Sequence, residues 1–227
     1  MSTYDIAIIG GRVIDPETGL DDIRNVGIAG DKIGIVTEEP IEGVETIDAS
    51  GHVVCPGFID MHFHNTAHPF GQKLALRDGV TTPMELELGV YPVEEWYGAL
   101  EGKSRTNYGA SVGSIPIRER ILNPDFREVA EGDFLLDALG RAKESQTSMK
   151  WSTEHVTAQQ LEKFERMLEE GMQQKAIGVG HAVGYMVAGC SQQESMVVQK
   201  VAGKYSVCLL YTSDAADDDT NVCRAGG

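Results

Sequence analysis

The sequence predicts a mixed α/β fold in which a small β-domain, residues 1–55, precedes the first half of an eight-stranded (β/α)8 barrel, residues 56–206. Two observations support this prediction. Before Pro56, short apolar runs are separated by turn residues, a pattern typical of β-hairpins. After Pro56, short apolar runs alternate with longer helical patterns, an order typical of parallel βα units. Four such units make half of a barrel.

The β-domain is predicted to be a meander of hairpins. The pair Gly30-Asp31 suits a hairpin turn, because both residue types tolerate the positive φ of tight turns. The predicted strands cover residues 6–9, 13–14, 25–29, 32–36, 44–47 and 53–54.

The barrel region is predicted to alternate strands with helices. Its clearest helix is 157–174, where Thr157 can cap the N-terminus and apolar residues recur at helical spacing. The predicted strands are 57–61, 80–88, 107–113 and 176–180. The predicted helices are 70–77, 92–102, 116–121, 132–144, 157–174 and 192–203.

The composition and charge of the chain argue against several classes of partner and location. The 227 residues carry a formal net charge of −16, which repels phosphate backbones and anionic lipid, so we expect neither a nucleic-acid nor a membrane partner. No signal peptide or membrane-spanning run is evident. The cysteines have no CxxC spacing, which favours free thiols in a reducing, cytoplasmic setting, with Cys55 and Cys190 buried or partly buried.

Residues 207–227 are interpreted as a tail that is not part of the natural protein. Residues 208–217 spell CLLYTSDAAD, which resembles the translation of a transposase mosaic-end sequencing adapter in one reading frame. The alternative is a natural acidic C-terminal tail. On the first interpretation, natural sequence ends near residues 205–207.

The strongest local signal is the motif Pro-Gly-Phe-Ile-Asp-Met-His-Phe-His, residues 56–64. Side chains alternate along a strand, so Asp60, His62 and His64 share one face. Two imidazoles on one face can bind a single divalent metal, and nitrogen ligands suit zinc. A pair of ordinary surface or core histidines is the alternative, but barrel enzymes place catalytic groups at this end of a strand. The opposite face is expected to enter apolar packing: Ile59, Met61 and Phe63.

With this motif and the preceding Ile-Gly-Gly-Arg-Val-Ile-Asp-Pro, residues 9–16, the chain resembles the amidohydrolase superfamily from residue 4 to residue 205. The resemblance implies a (β/α)8 barrel whose first strand supplies His62 and His64 as ligands of one or two zinc ions, or of another divalent metal. It also implies a small β-sandwich domain that residues after the barrel complete.

Residues 79–89, 107–113 and 178–186 resemble the D-aminoacylase group, especially the N-acyl-D-glutamate deacylases. This resemblance implies hydrolysis of the amide bond of a small-molecule N-acyl-D-amino acid. It places the catalytic base, an aspartate, and further histidine ligands beyond residue 207. We therefore expect no catalytic base within this chain and no activity from the chain alone, whose unclosed half-barrel should aggregate.

The sequence offers two candidates for the third protein ligand of the metal. Many D-aminoacylases use a cysteine near the end of the second strand, where this chain has Leu88. Glu85 and Glu87 are the candidates in its place, since carboxylates also bind zinc. Glu87 is favoured because it lies nearer the C-terminal end of the strand. Either glutamate could instead be a salt-bridged barrel residue.

Two alternative functions stay open. Cyclic-amide hydrolases such as hydantoinases and dihydroorotases usually carry a metal-bridging lysine on the fourth strand. Residues 176–180 contain none, because Lys175 lies just before them. A metal-free relative that only binds a ligand is the alternative from another class.

Further polar residues are candidates around the metal motif. Asp60 could orient a ligand histidine, and Arg118 could bind a substrate carboxylate through its planar guanidinium, unless it is an exposed charge. His68 is expected in a solvated loop or at the substrate entrance, and His181 in a packing or supporting role. Surface positions are expected for His52 and His155.

Overall fold

The computed structural model describes residues 3–123 and 150–211. The chain divides into two compact units, Met1–Gly57 and Phe58–Gly227. The helix predicted at 132–144 lies outside the described residues. No helix among those described is long and apolar enough to cross a membrane.

The first unit is a five-stranded sheet in the order β3-β2-β1-β4, with β5 also paired to β1. Its strands are β1 (Thr3–Asp15), β2 (Leu20–Ala29), β3 (Lys32–Thr37), β4 (Glu42–Asp48) and β5 (Val53–Val54). The antiparallel meander predicted from sequence holds for the first three strands. It is wrong for β4 and β5, which both pair parallel to β1.

Two predicted strands of the first unit, 6–9 and 13–14, form the single strand β1. A bulge between Ile8 and Gly11 absorbs the glycine pair that suggested a break. Gly10 has φ +70°, and its N–H donates a 2.9 Å hydrogen bond to Asn25 Oδ1. Glycine adopts this conformation without steric cost, so the strand continues through the bulge.

The second unit contains a five-stranded sheet in the order β10-β9-β8-β7-β6, and all four neighbouring pairs are parallel. Its strands are β6 (Phe58–Asp60), β7 (Val80–Val90), β8 (Gly109–Gly113), β9 (Gly178–His181) and β10 (Cys208–Tyr211). Its helices are α1 (Pro69–Arg77), α2 (Val93–Leu100), α3 (Ser114–Leu122), α4 (Lys150–Thr153), α5 (Ala158–Gln173) and α6 (Gln192–Tyr205). Parallel strands joined through helices are the arrangement predicted for a partial barrel.

Helix α5 shows why the position of some elements could be predicted accurately from sequence. Thr157 accepts a hydrogen bond from the backbone N–H of Gln160, whose side chain accepts one from the backbone N–H of Thr157. Phe164 and Leu168 on the inner face are fully buried, and burying each side chain contributes about 1.5–3 kcal/mol. An added Cβ at Gly171 would clash with Val112 of β8, so the glycine allows close contact between helix and sheet.

Strand β6 is shorter and more exposed than predicted. It contains only Phe58–Asp60 and pairs with β7 alone among the described strands. The predicted apolar packing of Ile59 and Met61 is wrong, because these side chains are 62% and 64% exposed. Burial requires a neighbour on that face, and an edge strand has fewer neighbours than a central one.

The first residues of the predicted tail lie within the sheet. Strand β10 pairs parallel with β9, with Cys208 opposite Gly178 and Leu210 opposite Gly180. Residues 212–227 lie outside the described residues, so the interpretation of the tail remains a prediction.

Candidate metal centre

A bulge in β7 shapes the backbone next to the candidate site. Between the pairs Glu85↔Ala110 and Val90↔Val112, β7 contains more residues than its partner strand. Gly89 within this segment has φ +64°. Bulges bend a strand and redirect its side chains, and they recur next to active sites.

Two glycines on neighbouring strands leave room for the bulge. A Cβ at Gly180 of β9 would lie 2.5 Å from the carbonyl oxygen of Leu86. A Cβ at Gly113 of β8 would clash with the carbonyl oxygen of Leu88. The absence of a side chain at Gly113 and Gly180 therefore permits the course of β7 beside Glu87.

The two histidines of the motif follow β6 rather than lying within it. The Asp60 carboxylate accepts a 2.9 Å hydrogen bond from the backbone N–H of His62. The backbone N–H of Phe63 donates to the carbonyl of Met84 on β7 at 3.2 Å, which keeps the segment beside that strand. The rings of His62 and His64 lie edge to face, with centroids 5.0 Å apart.

Both histidine rings meet one carboxylate oxygen. Glu87 Oε2 lies 2.7 Å from His62 Nε2 and 2.9 Å from His64 Nε2. Glu87 is 4% exposed, whereas the side chains of His62 and His64 are 60% and 41% exposed. The carboxylate is therefore enclosed by the protein, whereas both rings are partly exposed to solvent.

The chemistry of this donor set fits a divalent metal. One ligand atom from each of His62, His64 and Glu87 lies within 4.8 Å of the other two. Two imidazole nitrogens and one carboxylate oxygen are the type and number of protein ligands found in catalytic zinc sites, which keep a further position open. Among the described residues, no other group of three such side chains converges in this way.

Glu85 contacts the ring nitrogen of His64 that Glu87 does not contact. Its Oε1 lies 3.1 Å from His64 Nδ1, and its side chain is 12% exposed. This hydrogen bond raises the pKa of His64 above its ordinary value. Burial raises the pKa of Glu85, and the contact with His64 opposes that rise. Of the two glutamates considered from sequence, only Glu87 meets both histidines.

The structure shows how Asp60 contacts a candidate ligand histidine. Its carboxylate binds the backbone N–H of His62 and not the ring of a ligand histidine. The alternation of side chains along a strand does not extend to His62 and His64, because β6 ends at Asp60. An aspartate carboxylate commonly binds the backbone N–H two residues later.

The structure also corrects the proposal that Arg118 binds a substrate carboxylate. Arg118 is fully buried and pairs with Glu194 at 2.5 Å. The same guanidinium donates to the carbonyls of Trp151 and Glu154, each at 2.6 Å, and of Gly189 at 3.2 Å. Its donors are thus bound within the protein. Burial raises the pKa of Glu194 despite the neighbouring cation.

His181 lies in a second polar group at the end of β9. It is fully buried, with Nδ1 3.1 Å from Ser114 Oγ and Nε2 3.1 Å from Ser195 Oγ. Burial, followed by the charge of Arg118, lowers the pKa of His181 to about 4. Cys190 Sγ lies 3.8 Å from His181 Nε2, a partner that sequence spacing did not reveal. Burial raises the pKa of this thiol, which opposes nucleophilic use.

The remaining candidates have local roles. His68 caps the N-terminus of α1, where its Nδ1 accepts a 3.1 Å hydrogen bond from the backbone N–H of Phe70. His52 and His155 are exposed, as expected. Cys55 is exposed, so its predicted partial burial is wrong.

Sequence comparison finds local similarity to curated enzymes. No protein-family model matches the chain. A dihydroorotase of Streptococcus pneumoniae is 48% identical over 60 residues, which covers 26% of this chain and 14% of that protein. Adenine deaminase 2 of Rhizobium etli is 29% identical over 140 residues, which covers 57% of this chain and 22% of that protein.

Comparison with solved structures covers nearly all of the chain. A D-aminoacylase structure described as defining a subset of amidohydrolases matches 93% of this chain with a TM-score of 0.68 and 20% identity. The N-acyl-D-glutamate deacylase of Bordetella bronchiseptica, complexed with zinc and a phosphonate inhibitor, matches 92% with a TM-score of 0.69 and 18% identity. In both cases the chain spans 45% of the matched structure. The chain thus shares the fold of these two structures over somewhat less than half of their length.

Proposed function

We propose that the protein containing this chain is a metal-dependent hydrolase of amide bonds, with His62, His64 and Glu87 as ligands of zinc or a similar divalent ion. The observation that carries the proposal is the convergence of three ligand atoms within 4.8 Å beside the ends of β6 and β7. Barrel enzymes hold their catalytic groups at the C-terminal ends of such strands.

The chain's own residues suit this role in distinct ways. A divalent metal supplies Lewis acidity, which polarises an amide carbonyl and lowers the pKa of water. Glu87 is buried and cannot move freely, so it fixes one ligand position. His62 and His64 are partly exposed, so a substrate can approach from their open side.

The proposed substrate is an N-acyl-D-amino acid such as N-acyl-D-glutamate. Residues 79–89 support this choice, because their sequence resembles that group and includes both glutamates of the site. The fold supports it too, since two of the matching structures are a D-aminoacylase and an N-acyl-D-glutamate deacylase.

Hydrolysis of a cyclic amide is the second candidate. The local identity of 48% to a dihydroorotase favours it. Strand β9, with the sequence Gly-Val-Gly-His, argues against it because it lacks the lysine expected in that group. The fold of a dihydroorotase also matches less well, with a TM-score of 0.54.

The test uses the protein encoded by the natural gene that contains these residues. We expect N-acetyl-D-glutamate to be hydrolysed after zinc is added, and the L-enantiomer, hydantoin and dihydroorotate to be hydrolysed far more slowly. The variant His62→Asn should lose zinc and activity, while His52→Asn, an exposed histidine of the first unit, should keep both. Faster opening of a cyclic amide would favour the second candidate, and full activity without metal would refute the proposal.

A further inference from the structure

We propose that Glu85 is a positioning residue that fixes the orientation and tautomer of His64 for metal binding. The inference rests on the proposed function, because it takes His64 as a metal ligand. Glu85 does not touch the metal in this proposal; it acts only through the histidine ring.

The contacts of the His64 ring carry the argument. Nδ1 lies 3.1 Å from Glu85 Oε1, and Nε2 lies 2.9 Å from Glu87 Oε2. A neutral imidazole has one N–H, and a carboxylate can only accept a hydrogen bond. With the proton held at Nδ1 by Glu85, the lone pair of Nε2 is directed towards Glu87 and the metal.

The position of Glu85 on β7 makes it suited to this role. It precedes Glu87 by two residues on the same strand, and both carboxylates contact the ring of His64. Its side chain is 12% exposed, so the strand and its neighbours restrict its movement. One strand thereby supplies both carboxylates that contact the ring nitrogens of His64.

His62 is held by a different kind of hydrogen bond. The Asp60 carboxylate binds its backbone N–H at 2.9 Å, while its Nε2 lies 2.7 Å from Glu87. Asp60 therefore positions the main chain of one ligand, and Glu85 positions the ring of the other.

Glu85 as a direct ligand is the competing arrangement. The convergent group consists of His62, His64 and Glu87, without Glu85. Glu85 Oε1 is in contact with Nδ1 of His64 at 3.1 Å. A direct ligand would need to release that contact.

The experiment measures zinc affinity and the visible spectrum of the cobalt-substituted whole protein at one fixed pH. We compare Glu85→Leu and Glu85→Gln with Glu87→Gln, and use Glu101→Leu as the control because Glu101 is exposed at the end of α2. Removing an outer partner of a ligand histidine weakens metal affinity by about 10- to 100-fold. We expect a loss of that size for Glu85→Leu and less than about 10-fold for Glu85→Gln, whose amide oxygen still accepts from Nδ1.

The cobalt spectrum separates positioning from ligation. Unchanged band positions in both Glu85 variants support positioning, since the ligand set stays the same. Wild-type zinc affinity in Glu85→Leu overturns the proposal, as does a Glu85→Gln variant that loses affinity and shifts the spectrum as strongly as Glu87→Gln. A wild-type protein that binds neither zinc nor cobalt refutes the proposed function itself. Glu85→Gln preserves side-chain shape, so it gives an answer even where Glu85→Leu fails to fold.

Discussion

Two groups of histidine and carboxylate residues lie near the C-terminal ends of strands in the second unit. The candidate metal centre consists of His62, His64 and Glu87 beside β6 and β7, with Glu85 in contact with His64. The buried cluster consists of Arg118, His181, Cys190, Glu194 and Ser195 near β9 and the start of α6. Both contain residue types found in active sites.

The two groups differ in the partners of their polar atoms and in the exposure of their side chains. In the buried cluster Arg118 and Glu194 are fully buried, and the guanidinium binds backbone carbonyls as well as the carboxylate. In the metal centre two half-exposed rings face one oxygen of Glu87. Residue type alone therefore does not identify a ligand site. The convergence of three ligand atoms is the feature that distinguishes the candidate metal centre from the buried cluster.

The largest expected effect concerns the buried ion pair. Arg118→Met leaves Glu194 charged, buried and unpaired, which should lower the free energy of unfolding by about 3–5 kcal/mol. Zinc affinity of the folded protein should not change. Urea denaturation measures the first quantity, and a chelator competition measures the second.

Two controls sharpen the Arg118 prediction. Lys200→Met breaks an exposed pair with Glu165 that spans 2.6 Å and should cost less than about 1 kcal/mol. The double variant Arg118→Met with Glu194→Leu should recover part of the loss, since Glu194 Oε1 is already buried without a hydrogen-bond partner among the described residues. A large loss of zinc affinity in Arg118→Met would contradict the separation of the two groups.

The next effect concerns the metal centre. Glu87→Gln should weaken zinc binding by more than about 100-fold, beyond the range seen for partners that only support a ligand. Its unfolding free energy should change by only about 1 kcal/mol, because the amide keeps the shape and can still bond to one ring. Glu194→Gln should show the reverse pattern, with lower stability and unchanged zinc affinity. Equal zinc affinities for Glu87→Gln and wild type would remove Glu87 from the ligand set.

The elements that could be predicted from sequence are those set by local pattern. Helix α5 has its cap at Thr157 and its apolar spacing within one segment, and the structure confirms it. The burial of Ile59 could not be predicted in the same way, because it depends on which strands flank β6. The pairing of β4 beside β1 likewise depends on a crossover that no local pattern encodes.

In the candidate site, too, features set by local sequence could be predicted and those set by distant residues could not. His62 and His64 stand two residues apart, and their proximity follows from that spacing. Glu87 is brought to them by the parallel pairing of β6 with β7, which the barrel prediction included. Arg118 was misjudged because its partner Glu194 is 76 residues away and no spacing rule connects them. The bulge that shapes β7 depends on glycines of two other strands.

A third prediction concerns the pH dependence of stability. The pKa of His181 is lowered to about 4 in the folded protein, whereas an unfolded histidine titrates near pH 6.5. The unfolded state therefore binds the proton first, and stability present at neutral pH is lost as the pH falls from 6.5 towards 4. Between pH 7 and pH 5 the loss should be about 2 kcal/mol.

The measurement compares His181→Gln with wild type by urea denaturation at both pH values. The variant should lack this part of the pH dependence, so the stability gap between the two proteins should narrow at pH 5. The charged groups near His181, Arg118 and Glu194, are the same in both proteins and their contribution largely cancels. A gap that stays constant across this range would show that His181 does not titrate as its burial implies.

The smallest expected effect concerns the hydrogen bond from His62 to Asp60. It compares this bond to the main chain of one proposed ligand with the contact of Glu85 to the ring of the other. Asp60→Ala removes the 2.9 Å hydrogen bond to the backbone N–H of His62. Such a bond contributes about 1 kcal/mol, so zinc affinity should fall by about fivefold. Asp60→Asn keeps an acceptor oxygen and should bind zinc as wild type does. A loss in Asp60→Ala as large as that in Glu85→Leu would mean that fixing the main chain of one ligand matters as much as fixing the ring of the other.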